Sequence, residues 1–219
     1  MKISGVIFDM DGTLIDSMPY WDNVGAMYLK TCGVSVEANL GTVLRAMSLQ
    51  EVAKYLKRRY NLRDNPQEII NGIIDLVQDL YEDVIPAKHG ALELLEMLRS
   101  RNVRLCVATA SEKKVAETVL KRLGLFGYFE FIITCEEVGA GKNNPLIFDT
   151  ALKLLGTDKK YTYVIDDGLH AIKTAKSVGF PTVAVYDKSF DVDNAEIREI
   201  AGAYFETLSE VGEYLKGDF

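Results

Sequence analysis

The chain has 219 residues, of which 48% are hydrophobic and 26% are charged, and its formal net charge is -7. A chain of this length can bury roughly 70% of the surface that its unfolded form exposes, so we expect one large domain with an inserted smaller one. The acidic balance argues against nucleic acid or an anionic membrane as a general partner, and no apolar run is long enough to span a bilayer. Met1 and Lys2 lead directly into an apolar run, which leaves no room for a signal peptide and indicates a cytoplasmic protein. The three cysteines are widely spaced without a metal-ligand pattern, which predicts reduced thiols.

The first predicted strand ends in two carboxylates. The apolar run Ile3–Phe8 predicts a strand buried on both faces of a parallel sheet, and Asp9 and Asp11 follow at its carboxyl end, where such sheets place their chemistry. Two carboxylates this close repel each other and favour a cation, a proton or an electrophile between them. An ordinary Asp-Gly turn is the simpler interpretation. A calcium-binding loop is excluded, because Leu14 and Tyr20 occupy the places of its glycine and glutamate.

Residues 17–85 show helical patterns and no convincing strand. The first predicted helix is capped by Ser17 and ended by Gly33, the second lies near Leu49–Tyr60, and the third begins at Asn65-Pro66. Helical spacing predicts one buried face on each, formed by Trp21, Val24, Tyr28, Leu29 and Cys32; by Leu49, Val52, Ala53, Leu56 and Tyr60; and by Ile69, Ile70, Ile73, Ile74, Val77, Leu80 and Tyr81. The segment therefore predicts a small helical bundle inserted after the first strand.

Strands and helices alternate again after the bundle. A second strand is predicted at Val103–Ala108 and ends in Thr109, Ala110 and Ser111. Hydroxyls at a strand end, beside the free N–H groups of a helix start, suit an anion. A role for Ser111 as the cap of the next helix is the alternative interpretation.

A third strand, near Phe131–Thr134, is followed by the glycine-bounded turn Gly139–Pro145. Pro145 opens the next helix, so Lys142 is held in a short turn just before a helix start. A solvated surface charge is the default interpretation of a single lysine.

The fourth predicted strand, Tyr161–Ile165, ends in a second acidic pair, Asp166 and Asp167. In a single parallel sheet, both acidic pairs lie at one edge, beside the hydroxyl and the lysine described above. Clustered carboxylates raise one another's pKa values and oppose folding unless a divalent cation lies among them, and their oxygens suit Mg²⁺. With Thr109 and Lys142 to bind anionic oxygens, this set meets the needs of phosphoryl transfer.

These motifs resemble those of the haloacid dehalogenase superfamily, in its branch with a small helical cap. The matching stretches are Asp9-Met-Asp11-Gly-Thr13, Thr109, Lys142 followed by Pro145-Leu-Ile-Phe148, and Asp166-Asp167. The resemblance covers almost the whole chain. It implies an α/β fold with a Rossmann-like parallel-sheet core formed by residues 1–16 and 86–219, and a helical cap formed by residues 17–85.

The resemblance also implies a role for each matching residue. Asp9 would attack phosphorus and form an aspartyl phosphate, and Asp11 would protonate the leaving oxygen and then take the proton of the hydrolytic water. Mg²⁺ would be bound by the Asp9 carboxylate, the Asp11 backbone carbonyl and Asp167, with Asp166 as a ligand or an adjacent partner. The phosphoryl oxygens would be bound by Thr109, Ala110 and Lys142. Dehalogenases lack the acid at Asp11, so the implied activity is a phosphatase.

The implied substrate is a small phosphorylated metabolite. The cap would close over the site, exclude water and supply the residues that select the substrate. Candidate substrate contacts are Thr13, Ser17, Tyr20, Trp21 and Ser111. For Tyr20 and Trp21, burial against the cap's own core is the alternative interpretation. The sequence predicts no particular oligomeric state.

Two alternatives remain open. A β-phosphoglucomutase shares the fold and the nucleophile and is similar to this chain at Ala110-Ser111. However, this chain has Trp21 in place of its cap histidine and Ala46-Met-Ser-Leu49 in place of its cap stretch with an arginine, so hydrolysis ranks first. A catalytically idle scaffold is the other alternative, and it would be favoured by loss of a core motif residue. None is lost.

Overall fold

A computed structural model describes residues 3–37, 39–44, 47–190 and 193–217. Met1, Lys2 and Ala46, on which parts of the sequence interpretation rest, lie outside these ranges. The chain divides into two compact units, residues 1–16 with 86–219 and residues 17–85, which we call the sheet unit and the helical unit. In the described ranges, no helix is both long enough and apolar enough to cross a bilayer.

The sheet unit is built on strands whose described ranges are β1 (Gly5–Phe8), β2 (Arg104–Thr109), β3 (Phe131–Thr134), β4 (Thr162–Asp166), β5 (Thr182–Val185) and β6 (Ala203–Phe205). They form one parallel sheet in the order β3-β2-β1-β4-β5-β6, which is the order of Rossmann-type sheets. The predicted α/β fold with a parallel-sheet core is confirmed. β1 lies between β2 and β4 and is fully buried. The strand order reverses at β1, and sheets of this kind bind their ligands at that point.

The described helices are α1 (Met18–Thr31), α2 (Leu40–Leu44), α3 (Leu49–Tyr60), α4 (Pro66–Asp83), α5 (Ala91–Ser100), α6 (Lys113–Arg122), α7 (Cys135–Val138), α8 (Leu146–Leu155), α9 (Leu169–Ser177), α10 (Asn194–Ile200) and α11 (Leu208–Lys216). The first four belong to the helical unit and the others to the sheet unit. In the sheet unit, Phe148 of α8 and Ala171 of α9 pack with Ile7 and Val164 in one buried core. Burial of a side chain such as Phe148 contributes roughly 1.5–3 kcal/mol, so packing also holds the turn that precedes α8 against the sheet.

The helical unit has a core of its own, drawn from all four of its described helices and including Leu29, Leu56 and Ile73. α4 begins as predicted at Asn65-Pro66, where Asn65 and Glu68 exchange side-chain-to-backbone hydrogen bonds in a capping box. The described residues of this unit contain helices and no strand, in agreement with the sequence pattern.

Several details of the predicted bundle are wrong. Trp21 and Ile74 are 41% and 48% exposed, and Cys32 is exposed as well, so these three lie outside the core. The Trp21 ring nitrogen donates to the hydroxyl of Tyr81 over 2.9 Å, which satisfies the polar end of the indole while its rings stay accessible. Ser17 stands at the N-cap of α1, but its side chain makes no capping hydrogen bond. The short helix α2 was not predicted.

The sheet also extends beyond the four predicted strands. β5 is a buried run of only four residues, and β6 is a partly buried run of three, so neither is long enough to give a clear period. β4 begins one residue later than predicted, because Lys159–Tyr161 form a single 3-10 turn whose start is capped by the Asp158 side chain.

Candidate active site

The carboxyl ends of β1 and β4 bring the two acidic motifs to one edge of the sheet. Phe8 is in register with Val107 on one side and with Ile165 on the other, so the ends of the three central strands are level. Asp9 follows β1, and its N–H donates to the Ile165 carbonyl over 2.9 Å, while Asp166 is the last residue of β4. The acidic residues therefore lie side by side at the point where the strand order reverses.

Lys142 lies between two of these carboxylates. Its Nζ donates to Asp166 Oδ2 over 2.8 Å and also forms an ion pair with Asp9 Oδ1. All three side chains are buried. Buried charges are stable only when they are paired, so the lysine and its two partners hold one another in place. This excludes the interpretation of Lys142 as a solvated surface charge.

Asp167 is held mainly by Thr13. The Thr13 hydroxyl lies 3.3 Å from Asp167 Oδ1 and 3.4 Å from Asp9 Oδ2. Thr13 is fully buried. Because its hydroxyl lies between the two carboxylates, it helps to orient both. A contact of Thr13 with the substrate stays a prediction. The other oxygen, Asp167 Oδ2, is buried and has no hydrogen-bond partner among the described residues, which is costly for a carboxylate.

The cluster perturbs the pKa values of its members. Burial is the largest cause that raises the pKa of Asp9 to about 7; Asp166 and Asp11 add to the effect, and Lys142 opposes it. Burial likewise raises the pKa of Asp167 well above its ordinary value, with further contributions from neighbouring carboxylates. Burial disfavours the Lys142 ammonium, but Asp166 and Asp9 outweigh it, so the pKa of Lys142 is raised. The carboxylates at this edge of the sheet therefore carry more negative charge than the ammonium of Lys142 can neutralise.

The residues fit a divalent cation. One carboxylate oxygen from each of Asp9, Asp166 and Asp167 lies within 4.8 Å of the other two. A set made only of oxygens is what Mg²⁺ prefers. The oxygens of Asp166 already accept hydrogen bonds from Lys142 and from the Gly168 N–H, each over 2.8 Å. Both oxygens of Asp9 are likewise engaged, by Lys142 and by Thr13. Asp167 is therefore the best placed donor of the three, and its Oδ2, which has no partner among the described residues, is the atom that a cation would satisfy.

Asp11 is tied to the end of β2. The Ser111 hydroxyl donates to Asp11 Oδ2 over 2.6 Å, and the Ser111 N–H donates to the Thr109 hydroxyl over 3.0 Å. Ser111 is not the cap of α6, because Glu112 occupies the N-cap position. Ala110 is exposed in the same turn, whereas Thr109 is fully buried. The turn after β2 thus meets the turn after β1, as the strand-end pattern predicts.

A fifth carboxylate, which was not predicted, lies at the same end of the sheet. Asp187 follows β5, the strand next to β4, and its Oδ2 forms a 2.7 Å ion pair with Lys88. The short apolar run of β5, followed closely by an aspartate, repeats the pattern that singled out Asp9 and Asp166. That repetition was the signal available in the sequence.

The remaining candidate residues belong to the helical unit. Ser17 is buried, Tyr20 is partly exposed and Trp21 is exposed. Each is described within that unit only. A part for these residues in substrate binding stays a prediction.

A Rossmann-type sheet with an acidic, lysine-paired cluster at the point where its strand order reverses is typical of an α/β enzyme. Residues 3–179 match the family of haloacid dehalogenase-like hydrolases. The match spans well over half of the chain, and the protein belongs to that family.

Similar proteins carry phosphatase names. The chain is 24% identical over 181 residues to a phosphorylated carbohydrates phosphatase of Thermotoga maritima, covering 83% of this chain and 84% of the relative. It is 24% identical over 187 residues to hexitol phosphatase B of Escherichia coli, covering 84% of each. The solved structure of a Thermotoga maritima protein assigned as a β-phosphoglucomutase superposes with a TM-score of 0.89 at 23% identity, covering 99% of this chain and 100% of that one. These names are consistent with a phosphoric monoester hydrolase, and the structural likeness establishes the shared fold.

Proposed function

We propose that the protein is a magnesium-dependent phosphatase that hydrolyses small phosphorylated metabolites through an aspartyl phosphate on Asp9. The proposal is carried by the buried group of Asp9, Asp166, Asp167 and Lys142 at the switch point of the sheet. The three carboxylates carry more negative charge than the Lys142 ammonium neutralises, so the group requires a further cation. The ammonium of Lys142 can in turn bind an anionic substrate. The phosphatase names of the two curated relatives support the same reaction class.

Asp9 is the proposed nucleophile. One of its carboxylate oxygens attacks phosphorus, and the bond between phosphorus and the ester oxygen breaks. The electron pair of that bond goes to the leaving oxygen, which takes a proton from Asp11. In the second step, water attacks the phosphorus of phospho-Asp9 and gives a proton to Asp11. Inorganic phosphate leaves, and the Asp9 carboxylate is regenerated.

Asp11 suits this exchange of protons because it is more exposed to solvent than the neighbouring carboxylates. Its side chain is partly exposed, whereas Asp9, Asp166 and Asp167 are buried. The hydrogen bond from Ser111 fixes one carboxylate oxygen and so orients the carboxyl group. A general acid needs both this access and a fixed position.

Lys142, Thr109 and Ala110 are proposed to bind the phosphoryl oxygens. An ammonium has three hydrogen-bond donors, and the contacts of Lys142 with Asp9 and Asp166 use two of them. The third would be available to a phosphoryl oxygen. Placed donors of this kind stabilise the charge that builds up in phosphoryl transfer.

Mg²⁺ would be held by the Asp9 and Asp167 carboxylates and the Asp11 backbone carbonyl, with Asp166 as a further ligand or as the residue that positions Lys142. When bound, the ion would offset the charge of the phosphoryl group and of the carboxylates around it. The unpartnered oxygen of Asp167 supports this assignment.

We further propose that the helical unit acts as a cap that selects the substrate. Ser17, Tyr20 and Trp21, at the start of α1, are the proposed contacts. The exposed indole of Trp21, fixed by its bond to Tyr81, offers a rigid apolar surface for the non-phosphate part of a metabolite.

A β-phosphoglucomutase-like activity is the second candidate, favoured by the Ala110-Ser111 turn. The presence of Trp21 in place of a cap histidine favours hydrolysis, because a bisphosphate intermediate would lack that anchor. The two activities separate when β-glucose 1-phosphate is supplied with a trace of the bisphosphate. A mutase forms glucose 6-phosphate, whereas a phosphatase releases inorganic phosphate.

The proposal is tested by measuring phosphate release from a panel of sugar phosphates, polyol phosphates, phosphoglycolate and nucleotides, with and without Mg²⁺. We expect metal-dependent release that is lost in Asp9→Asn and kept in Asp149→Asn, a matched change of an exposed aspartate on α8. Release that persists in Asp9→Asn would contradict the proposed nucleophile. No release from any ester by a folded protein that binds Mg²⁺ would favour the mutase or the idle scaffold.

A further inference from the structure

A second lysine-carboxylate pair lies beside the proposed metal site. Asp187 follows β5, and β5 pairs with β4 so that Ala184 is opposite Asp166. The Asp187 side chain is only 4% exposed and that of Lys88 is 16% exposed, and their charged atoms are 2.7 Å apart. The proposed mechanism uses neither residue.

Both members of this pair are fixed by further hydrogen bonds. The Lys88 Nζ also donates to the Tyr186 carbonyl over 3.0 Å, and its backbone N–H donates to the Leu14 carbonyl in the turn after β1. Asp187 Oδ1 accepts from the Ser189 N–H over 2.9 Å. Both carboxylate oxygens of Asp187 are therefore engaged, so this residue is held as a partner of Lys88 rather than presented as a ligand.

The charge of Asp187 reaches the metal site. β5 lies next to β4 in the sheet, and Asp187 follows β5 at the same edge where Asp167 follows β4, so the two carboxylates are close enough to repel each other. Lys88 compensates Asp187. A change in either residue would alter the net charge beside Asp167 by one unit, and the two changes would have opposite signs.

We propose that the Lys88–Asp187 pair sets the affinity of the neighbouring aspartate cluster for a divalent cation through its charge balance, without binding the ion. The inference rests on the metal requirement of the proposed function. Loss of the positive charge makes the surroundings of Asp167 more negative and strengthens cation binding. Loss of the negative charge leaves an ammonium that weakens it.

The test is calorimetric titration of the chelator-treated full chain with MgCl₂ at about pH 8, a readout independent of turnover. We expect Lys88→Met to bind Mg²⁺ about fivefold more tightly and Asp187→Asn about fivefold more weakly than the unchanged protein. The double variant restores the charge balance and should bind within about twofold of the unchanged protein, as should Lys88→Arg. The matched surface pair, Lys159→Met and Asp149→Asn, should leave the affinity unchanged.

A merely structural role would weaken binding in both single variants or in neither, and either result would overturn the inference. If Lys88→Met does not fold, Asp187→Asn and the double variant decide, and failure of the double variant to recover the affinity refutes the charge balance. Absence of Mg²⁺ binding by the unchanged protein would overturn the metal requirement, and this inference with it. Binding with the wrong pattern of signs would overturn the inference alone.

Discussion

Ser111 donates a 2.6 Å hydrogen bond to Asp11, although the two residues are 100 positions apart in the sequence. The bond joins the turn after β1 to the turn after β2, and it holds one oxygen of the proposed general acid. A residue that must give and then take a proton needs a fixed orientation more than it needs tight packing. We therefore expect Ser111 to act on the reaction through Asp11.

We expect Ser111→Ala to lower kcat about tenfold while KM changes by less than about twofold, because the substrate still binds but Asp11 is less well oriented. Steady-state kinetics with the best ester of the panel measures both constants. Ser100→Ala is the matched control, since the Ser100 hydroxyl is exposed and bonds the nearby Met97 carbonyl on α5. An unchanged kcat in Ser111→Ala would remove Ser111 from this role.

Replacement of Lys142 should affect stability and activity together. Lys142→Met leaves the Asp9 and Asp166 carboxylates buried without their common partner, so we expect the free energy of unfolding to fall by about 3 kcal/mol in urea denaturation. Phosphate release should fall at least about 100-fold, since a donor to the phosphoryl group is lost. Lys173→Met, which breaks an exposed pair with Glu196, should change stability by less than about 0.5 kcal/mol. If the two variants lost stability and activity to the same extent, the buried contacts of Lys142 would matter no more than an exposed ion pair.

Replacement of Asp167 should have opposite effects with and without metal. In chelator, Asp167→Asn removes a buried carboxylate that lacks a partner for one oxygen, so the melting temperature should rise by roughly 3–5 °C. Addition of MgCl₂ should raise the melting temperature of the unchanged protein but not that of the variant. A variant that keeps the full magnesium shift would show that Asp167 is not a ligand.

The pKa of Asp9 predicts how stability depends on pH. Its ordinary value of 3.8 is raised to about 7 in the folded protein, so the folded state holds this proton more tightly than the unfolded state. The stabilisation is complete below the ordinary pKa and is lost as the pH rises through the folded pKa. For the metal-free protein, we expect the free energy of unfolding to fall by at least about 1 kcal/mol between about pH 5 and about pH 8. The fall should be smaller in Asp9→Asn, and a stability that rises over this interval would contradict the shift.

The parallel-sheet fold was predictable because each of its central strands is a short apolar run that ends in a polar motif. Such runs in β1 and β4 deliver Asp9 and Asp166 to the same edge, and strand order alone then makes them neighbours. The helix starts were predictable where the cap is local, as at Asn65. These features depend on residues that are close together in the sequence.

The contacts that the sequence did not reveal depend on residues that are far apart. Nothing near Thr13 indicates that its hydroxyl faces two carboxylates, and nothing near Ser111 distinguishes a helix cap from a partner of Asp11. Lys88 and Asp187 are 99 residues apart in the sequence. β5, the strand that precedes Asp187, is too short to be recognised from its pattern. Trp21 has the spacing of a core residue, but its ring nitrogen bonds Tyr81 and its rings stay exposed.

The central claim is that phosphate passes through a covalent bond to Asp9, and rapid acid quench followed by peptide mass mapping tests it most directly. With Mg²⁺ and the best ester, we expect one added phosphoryl group on the peptide that contains Asp9. No such group should form in Asp9→Asn. Full turnover without a phosphorylated peptide, together with activity that survives Asp9→Asn, would contradict the account.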